Sequence, residues 1–268
     1  YVWDNILSYK KSFGKHNVTA LALINFQEKN KNTEFGYYNA GVVGRATYDY
    51  SGRYLLEANV GYTGSERFAP GNRFGLFPSI ALGWVVSEEK FFRPLTSVMN
   101  KLKLRYSDGL VGSDNAGNRW LYISNYSVSG NYIIEDKAAN SVSQWEMAHK
   151  RDLGIEMGFF KNKFRLGVDL YDEYRDRMLL TPNTVTFFVG NSFKELNLGK
   201  MKKHGFEIDA EYNGTVGKNF EYFIKGNFGF NENRILYKDD LPYAEDYQKQ
   251  AGKLYGGQLN GVELNGNQ

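Results

Sequence analysis

Three histidines and a group of acidic residues are the side chains best suited to chemistry in this 268-residue chain. His16, His149 and His204 are far apart and fall on different predicted strands or turns, so they indicate no metal or acid–base cluster. The zinc-protease HExxH motif, the P-loop, the GxSxG elbow and the Rossmann glycines are absent. The sequence has no cysteine, which excludes thiol catalysis, disulfides and thiolate metal ligands. It therefore predicts a protein that is not an enzyme and holds no cofactor.

The acidic residues allow two interpretations. A pair of positioned carboxylates can act as general acid and base. Asp152, Glu156, Asp169 and Glu173 instead alternate with apolar residues along predicted strands, which favours a hydrated inner surface. The stretch Ser113–Asn118 (SDNAGN) lacks the spaced acids and final Glu of a calcium loop, so we expect a solvated turn there.

Composition favours strands. Glycine is abundant (29), aromatic residues make up 16% of the chain, and there are only 5 prolines. A net charge of +3 gives no case for nucleic-acid binding. The mean hydropathy of -0.52 is typical of soluble proteins, but membrane strands that alternate apolar and polar residues also average to a polar value. The sequence contains no run of 18 or more apolar residues, so it predicts no membrane-spanning helix.

The clearest periodicity lies between Tyr38 and Tyr62. One face of the first segment is apolar and the other mostly polar, a period of two that predicts a strand. Ser51-Gly52 predicts a tight hairpin, and the returning segment repeats the alternation. Each segment is long enough to cross a bilayer at a tilt, and tyrosines at both ends resemble an interfacial aromatic girdle.

About ten such strands are predicted, and the lengths of their connections alternate. Four connections are short (SFGKH, Ser51-Gly52, Lys161-Asn162 and NGTVGKN), and SEEKFFRPLTSVMN is longer, with one expected helical turn. The others are long: Glu28–Gly36, Thr63–Arg73, Gly112–Ser143, Asp176–Asn197, and from Glu232 onward. Short turns on one side and long loops on the other are typical of outer-membrane barrels.

We therefore predict an all-β protein, a transmembrane antiparallel β-barrel. A soluble antiparallel sandwich that binds glycans is the main structural alternative, since its strands also alternate. Strand length, the aromatic residues at strand ends and the alternation of connection lengths weigh against it.

Four blocks resemble a known family, the SusC/RagA-type TonB-dependent transporters of Bacteroidetes outer membranes; one of them, KLKLRYSDGLVGSDNAGN, lies at the family's usual place. The most specific is Gly64–Phe92 (GSERFAPGNRFGLFPSIALGWVVSEEKFF). WEMAHKRDLGIEMGFFKNKFRLGVDLYDEYRDRMLL and LGKMKKHGFEIDAEYNGTVGKNFEYFIKGNFGFNENRI are similar to later hairpins of that family. The blocks follow the family's order over most of Tyr38–Ile235, whereas Val111–Asp114 and the loop behind it depart from the common form.

The resemblance implies that residues 1–268 form part of a 22-stranded barrel domain in the bacterial outer membrane, without the plug and N-terminal domains. It implies active import of oligosaccharides or peptides, energised by TonB and capped by a SusD-like surface lipoprotein. A passive pore or structural barrel using the same wall is the alternative function.

Binding residues are expected in the long loops. Aromatic side chains among amides suit a sugar face or a peptide backbone, and they can equally pack a loop onto itself. The ligand candidates are Trp120, Tyr122, Tyr126 and Tyr132. The apolar candidates for contact with the lipoprotein are Phe187, Phe188 and Phe193.

Overall fold

The computed structural model describes residues 1–30, 36–114, 119–185, 190–217, 220–242 and 244–255. Within these ranges, no helix has the length and apolar character needed to cross a membrane. Strands dominate the chain, and most of them pair with their neighbours in sequence.

Ten strands form one antiparallel sheet in the order β1-β2-β3-β4-β5-β6-β9-β10-β11-β12. Their bounds are β1 Val2–Phe13, β2 His16–Lys29, β3 Tyr37–Tyr50, β4 Tyr54–Ser65, β5 Phe74–Val85, β6 Met99–Ser113, β9 Glu146–Phe159, β10 Phe164–Leu180, β11 Leu196–Val216 and β12 Phe220–Tyr237. A separate hairpin, β7 Tyr126–Ser129 with β8 Tyr132–Glu135, lies in the connection between β6 and β9.

The β3–β4 hairpin shows how local sequence sets the register. Ser51 and Gly52 both adopt left-handed backbone angles (φ 57° and 68°) at the centre of a three-residue connection, and the Arg53 amide closes the turn by donating to the Tyr50 carbonyl at 3.0 Å. The Gly52 amide donates to Asp49 Oδ1 at 2.7 Å. This turn pairs Tyr50 with Tyr54 and keeps the two apolar faces on the same side of the sheet.

The two faces of the sheet differ as the alternation predicts. On the face called the apolar face here, β4 and β5 place Leu56 opposite Leu82 and Ala58 opposite Ile80. Large apolar side chains on this face stay exposed; Leu76 and Val42 are exposed to 56% and 48%. The opposite, polar face carries charged residues such as those of the Arg45–Glu57 ion pair.

Buried apolar side chains lie at the ends of the sheet. In the described residues these are Phe68, Leu121 and Trp145 at the long-loop end, and Val86 and Phe92 at the short-turn end. A soluble sandwich would bury the apolar face against a second sheet. Among the described residues, nothing packs over that face and the one other sheet is the small β7–β8 hairpin, so the sandwich alternative is wrong.

The predicted element types are confirmed, and several predicted boundaries are wrong. β11 continues through the start of NGTVGKN to Val216, and β10 extends to Leu180, inside the predicted loop. The predicted loop Gly112–Ser143 contains the β7–β8 hairpin. The expected helical turn between β5 and β6 is present as two 3-10 turns, Val86–Glu88 and Lys90–Leu95.

Candidate functional site

The candidate site is the long-loop end of the sheet, where residues 30–36, 66–73, 114–145 and 181–195 connect the strands. The connections 114–145 and 181–195 meet each other and are called the loop pair. Binding residues commonly lie on loops that a rigid scaffold positions. The geometry of the loop pair therefore determines what this end can bind.

A polar cluster fixes the point where the first of these loops leaves β6. Asp114 Oδ2 accepts hydrogen bonds from Tyr37 Oη at 2.6 Å and from Ser65 Oγ at 2.7 Å. Arg67 donates to the Asp114 carbonyl at 3.0 Å, and Arg119 pairs with Glu66. Ser65 is only 1% exposed, so these bonds satisfy groups that burial would otherwise penalise.

An aromatic cluster fixes the point where the same loop rejoins the sheet. Trp145 packs against Phe68 and Phe77 with ring centroids 5.2 Å away in each case. Its indole Nε1 donates to the Arg73 carbonyl at 3.0 Å. The loop is therefore held at both ends, by polar bonds at Asp114 and by ring packing at Trp145.

Backbone and side-chain hydrogen bonds join the two members of the loop pair. Lys194, which is buried, donates through Nζ to the carbonyls of Ile123 at 2.5 Å and Trp120 at 3.4 Å. The Ala138 amide donates to the Ser192 carbonyl at 2.8 Å. Because these bonds connect residues about 55 to 75 positions apart, the two loops form one packed unit.

A third segment, after β12, is linked to the loop pair through Asp239. Its carboxylate accepts from the amides of Asn183 (2.6 Å) and Thr184 (2.9 Å) and from the Thr184 hydroxyl (2.8 Å). Burial on its own would raise the pKa of Asp239. The hydrogen bonds from Thr184 and Asn183 outweigh burial and lower that pKa, because they stabilise the charged form.

The four ligand candidates fall into two groups. Trp120 and Tyr122 are half-buried at the base of the loop. The Arg119 guanidinium lies 4.4 Å from the centroid of the Trp120 ring, and the Trp120 backbone is left-handed (φ 57°). One face of that indole is therefore occupied by a cation–π contact.

Tyr126 and Tyr132 belong to the β7–β8 hairpin and are exposed to 63% and 74%. They lie on opposite faces of this hairpin, because Tyr126 shares its face with Val128 and Ile133 while Tyr132 shares the other with Ile134. The structure therefore does not bring these two candidates together. It shows instead a projecting hairpin with apolar side chains exposed on both faces.

The three phenylalanine candidates are only partly described. Phe187 and Phe188 lie outside the described residues. Phe193 is half-exposed, and its backbone forms an isolated bridge with Ala138, which places it on the seam of the loop pair.

The four predicted carboxylates share the polar face, and cations pair with three of them, Glu156, Asp169 and Glu173. Glu156 accepts from Lys101 at 2.8 Å and Arg105 at 3.1 Å, and Arg105 also pairs with Asp169 at 2.6 Å. Glu173 pairs with Arg175. Such a network is typical of a hydrated inner surface rather than of a catalytic dyad.

As the sequence predicts, the three histidines lie on different strands, β2, β9 and β11. His16 contacts Tyr48 at the short-turn end, whereas His149 and His204 lie on the apolar face near the long-loop end. No group of three or more His, Asp or Glu side chains in the described part of the chain is arranged to hold a metal ion. The Asp114 carboxylate is engaged by Tyr37 and Ser65.

An antiparallel meander with an apolar face, a polar face, short turns at one end and long loops at the other is the wall of an outer-membrane β-barrel. A family model described as TonB dependent receptor-like, beta-barrel, matches residues 3–267. The chain belongs to this family. It is thus an outer-membrane protein of a transporter and receptor family, not an enzyme.

Relatives of the chain agree with this assignment. The TonB-dependent receptor SusC of Bacteroides thetaiotaomicron is 31% identical over 236 residues, covering 83% of this chain and 22% of SusC. TonB-dependent receptor P3 of Formosa agariphila is 26% identical over 320 residues, covering 98% of this chain and 32% of P3. The chain thus spans between a fifth and a third of the length of these two relatives.

A solved structure confirms the fold. The RagAB peptide importer in its "open-open" state superposes with a TM-score of 0.79 over 91% of this chain and 30% of that chain, at 21% identity. The family model and the SusC relative confirm the SusC/RagA-type resemblance read from the sequence, and this superposition agrees with it. The total of 22 strands in the whole barrel stays a prediction.

Proposed function

We propose that this chain is one portion of a barrel domain in an outer-membrane importer of oligosaccharides or peptides. The plug and N-terminal domains of that importer would lie elsewhere in the protein, TonB would energise it, and a SusD-like surface lipoprotein would cap it. Membership of the TonB-dependent receptor family carries this proposal. SusC is a TonB-dependent receptor and RagAB a peptide importer, and both support an import role.

The loop pair is the part of this chain that we assign to ligand contact. Its β7–β8 hairpin exposes aromatic side chains among serines and asparagines, a combination that stacks on sugar rings and hydrogen-bonds to peptide groups. Lys194 and Asp239 fix the base of the loop pair, so that the exposed tip is presented on an ordered support. Preorganised loops lose less conformational entropy when a ligand binds.

Ligand contact is tested by replacing Tyr126 and Tyr132 with alanine in the full-length protein. Libraries of oligosaccharides and peptides would be screened against the purified protein, and the affinity of the best ligand measured by calorimetry. We expect affinity to fall by about tenfold, since one lost aromatic contact is worth about 1–2 kcal/mol. Val142→Ala is the matched control, because Val142 is equally exposed in the same loop without an aromatic ring. Equal affinity in all proteins would contradict the assignment.

We assign lipoprotein contact to the apolar hairpin and to Phe193. Val128 and Ile133, directly opposite each other and both at least 75% exposed, form an apolar patch on one hairpin face. Exposed patches of this kind mark protein contacts. Val128→Asp with Ile133→Asp is expected to abolish co-purification of the lipoprotein, while Ser127→Asp with Ser129→Asp on the other face should preserve it. Retention by the first pair would contradict this assignment.

Import is separated from passive diffusion by its energy requirement. Uptake of the identified ligand would be compared in cells with and without TonB, and with and without a proton uncoupler. An importer should lose uptake under both conditions, because transport needs the inner-membrane proton gradient. Uptake that continues unchanged would instead support a passive pore.

A further inference from the structure

On the apolar face of β6 and β9–β12, one row of paired residues is apolar and the adjacent row is charged. The lower row is apolar and runs Tyr106, Leu153, Leu170, Phe206, Phe230 across the five strands. The next row towards the long loops is Asp108, Arg151, Asp172, His204, Glu232. We call this second row, together with His149, Lys202 and Arg234 just above it, the polar belt. Its position on a barrel wall is the level at which the outward surface leaves the hydrocarbon for the head groups of the outer leaflet.

The cations of the polar belt are held by acids but remain accessible. Arg151 contacts Asp108 through Nε at 3.3 Å, and its side chain is 54% exposed. Lys202 contacts Asp172 at 3.0 Å and is 47% exposed. His204 is exposed and lies beside both Asp172 and Glu232 in register, between the two strands that carry them. Each acid therefore orients a cation whose remaining donors point to the surroundings.

An apolar groove lies directly below these cations. It has a volume of about 340 Å³ and is lined by the side chains of the apolar row. Arg151, Asp172 and His204 form its rim. A hydrocarbon groove with cations at one end is complementary to an amphiphile that has an anionic head.

We propose that the polar belt and this groove bind a membrane lipid of the outer leaflet whose head group carries phosphate. An acyl chain lies in the groove, and the phosphate accepts hydrogen bonds from Arg151, Lys202 and His204. A guanidinium matches phosphate geometry with two parallel donors, which a lone ammonium cannot do. Asp108 and Asp172 keep the cations at the rim and can accept from hydroxyl or amine groups of the same head group.

The test uses the full-length protein, stripped of lipid in mild detergent and titrated by native mass spectrometry. The probes are lipid A, phosphatidylethanolamine and, as a phosphate-free amphiphile, diacylglycerol. Arg151→Gln with Lys202→Gln should weaken binding of the phosphorylated lipids by about tenfold or more. Arg45→Gln with Arg165→Gln on the polar face is the matched control and should bind as the wild type does.

Each result of the lipid titrations either supports the proposal or overturns it. Binding of lipid A alone, of phosphatidylethanolamine alone, or of both supports the proposal and names the head group. Leu170→Trp, which fills the groove and leaves the charges intact, should also weaken binding, and it keeps the test decisive if the charge variant does not fold. Diacylglycerol that binds as tightly as the phosphorylated lipids, or unchanged binding in the groove and charge variants, overturns the proposal.

Discussion

Phe77 on β5 and Trp145, the residue just before β9, meet edge to face, with ring centroids 5.2 Å apart and planes at 67°. Phe77 lies on the polar face, so this contact joins the inner side of the wall to the end of a long loop. Edge-to-face pairs add about 0.5–1.5 kcal/mol beyond the area they bury. Space for the Phe77 ring comes from Gly112 on β6, where an added Cβ would lie 2.1 Å from the ring.

Gly112→Val is therefore expected to displace Phe77 and loosen the attachment of the loop. Overpacking of this kind costs about 1–3 kcal/mol. The heat-induced change in gel mobility, which reports barrel unfolding, should shift to lower temperature. Gly61→Ala is the control, because its added Cβ would meet only ordinary contacts with Phe77, the nearest at 3.9 Å. Equal shifts in both variants would show that the close approach at Gly112 has no special role.

Ala58→Arg tests the orientation of the wall. Ala58 lies on the apolar face between Ala46 and Ile80, and a cation near the bilayer midplane costs about 2–4 kcal/mol. We expect less folded protein in outer-membrane fractions. Asn59→Arg, one residue further along on the polar face, should insert normally. If both variants insert equally well, the face assignment is wrong.

Asp239 makes the loop pair sensitive to acid. Its pKa is lowered in the folded protein, so the stabilisation is present above the unfolded pKa of about 3.9 and is lost as pH falls through the lower folded value. Hydrogen exchange at the amides of Asn183 and Thr184, corrected for the intrinsic rate, should accelerate below about pH 4. Asp239→Ala should show the fast exchange at every pH, and Asp239→Asn an intermediate rate. A pH-independent rate in the wild type would contradict the prediction.

Lys194 should control the order of the base of the loop. Lys194→Met removes the side-chain donor of the Ile123 carbonyl, whereas the Trp120 carbonyl still accepts from the Ile123 amide at 3.1 Å. One unsatisfied buried group costs about 1–3 kcal/mol. Exchange of the amides in residues 119–124 is expected to rise markedly. The control is Lys137→Met, since Lys137 is exposed in the same loop. If these amides stay protected in Lys194→Met, Lys194 does not order the base of the loop.

The wall could be predicted from the sequence because its two faces meet different surroundings, so period-two alternation is strong there. Ser51-Gly52 marked one hairpin correctly, but the register also depends on Arg53, the third residue of that connection. Strand ends such as Val216 were misplaced because NGTV is polar and reads as a turn, although it pairs with the start of β12. Polar residues can extend a strand beyond the membrane, where water replaces lipid.

The candidate site was less predictable. The turn Gly130-Asn131 between YSVS and YIIE is a hairpin signal that could have revealed β7 and β8, but each strand has only four residues. Lys194 and Asp239 were missed because their partners are 55 to 74 residues away, and no local pattern specifies such pairs. The polar belt likewise requires the register of five strands before its charges align.

The claim that this sheet is a membrane wall is tested most directly by measuring whether adjacent residues on β4 face lipid or water. Residues 1–268 contain no cysteine. In the full-length protein in liposomes, with any cysteine outside these residues replaced by serine, Val60→Cys and Asn59→Cys can each carry a single nitroxide label. We expect the label at position 60 to be relaxed by oxygen, which concentrates in lipid, and the label at position 59 by a water-soluble nickel chelate. Equal nickel accessibility at both positions would contradict the claim that this sheet is a membrane wall with one lipid-facing surface.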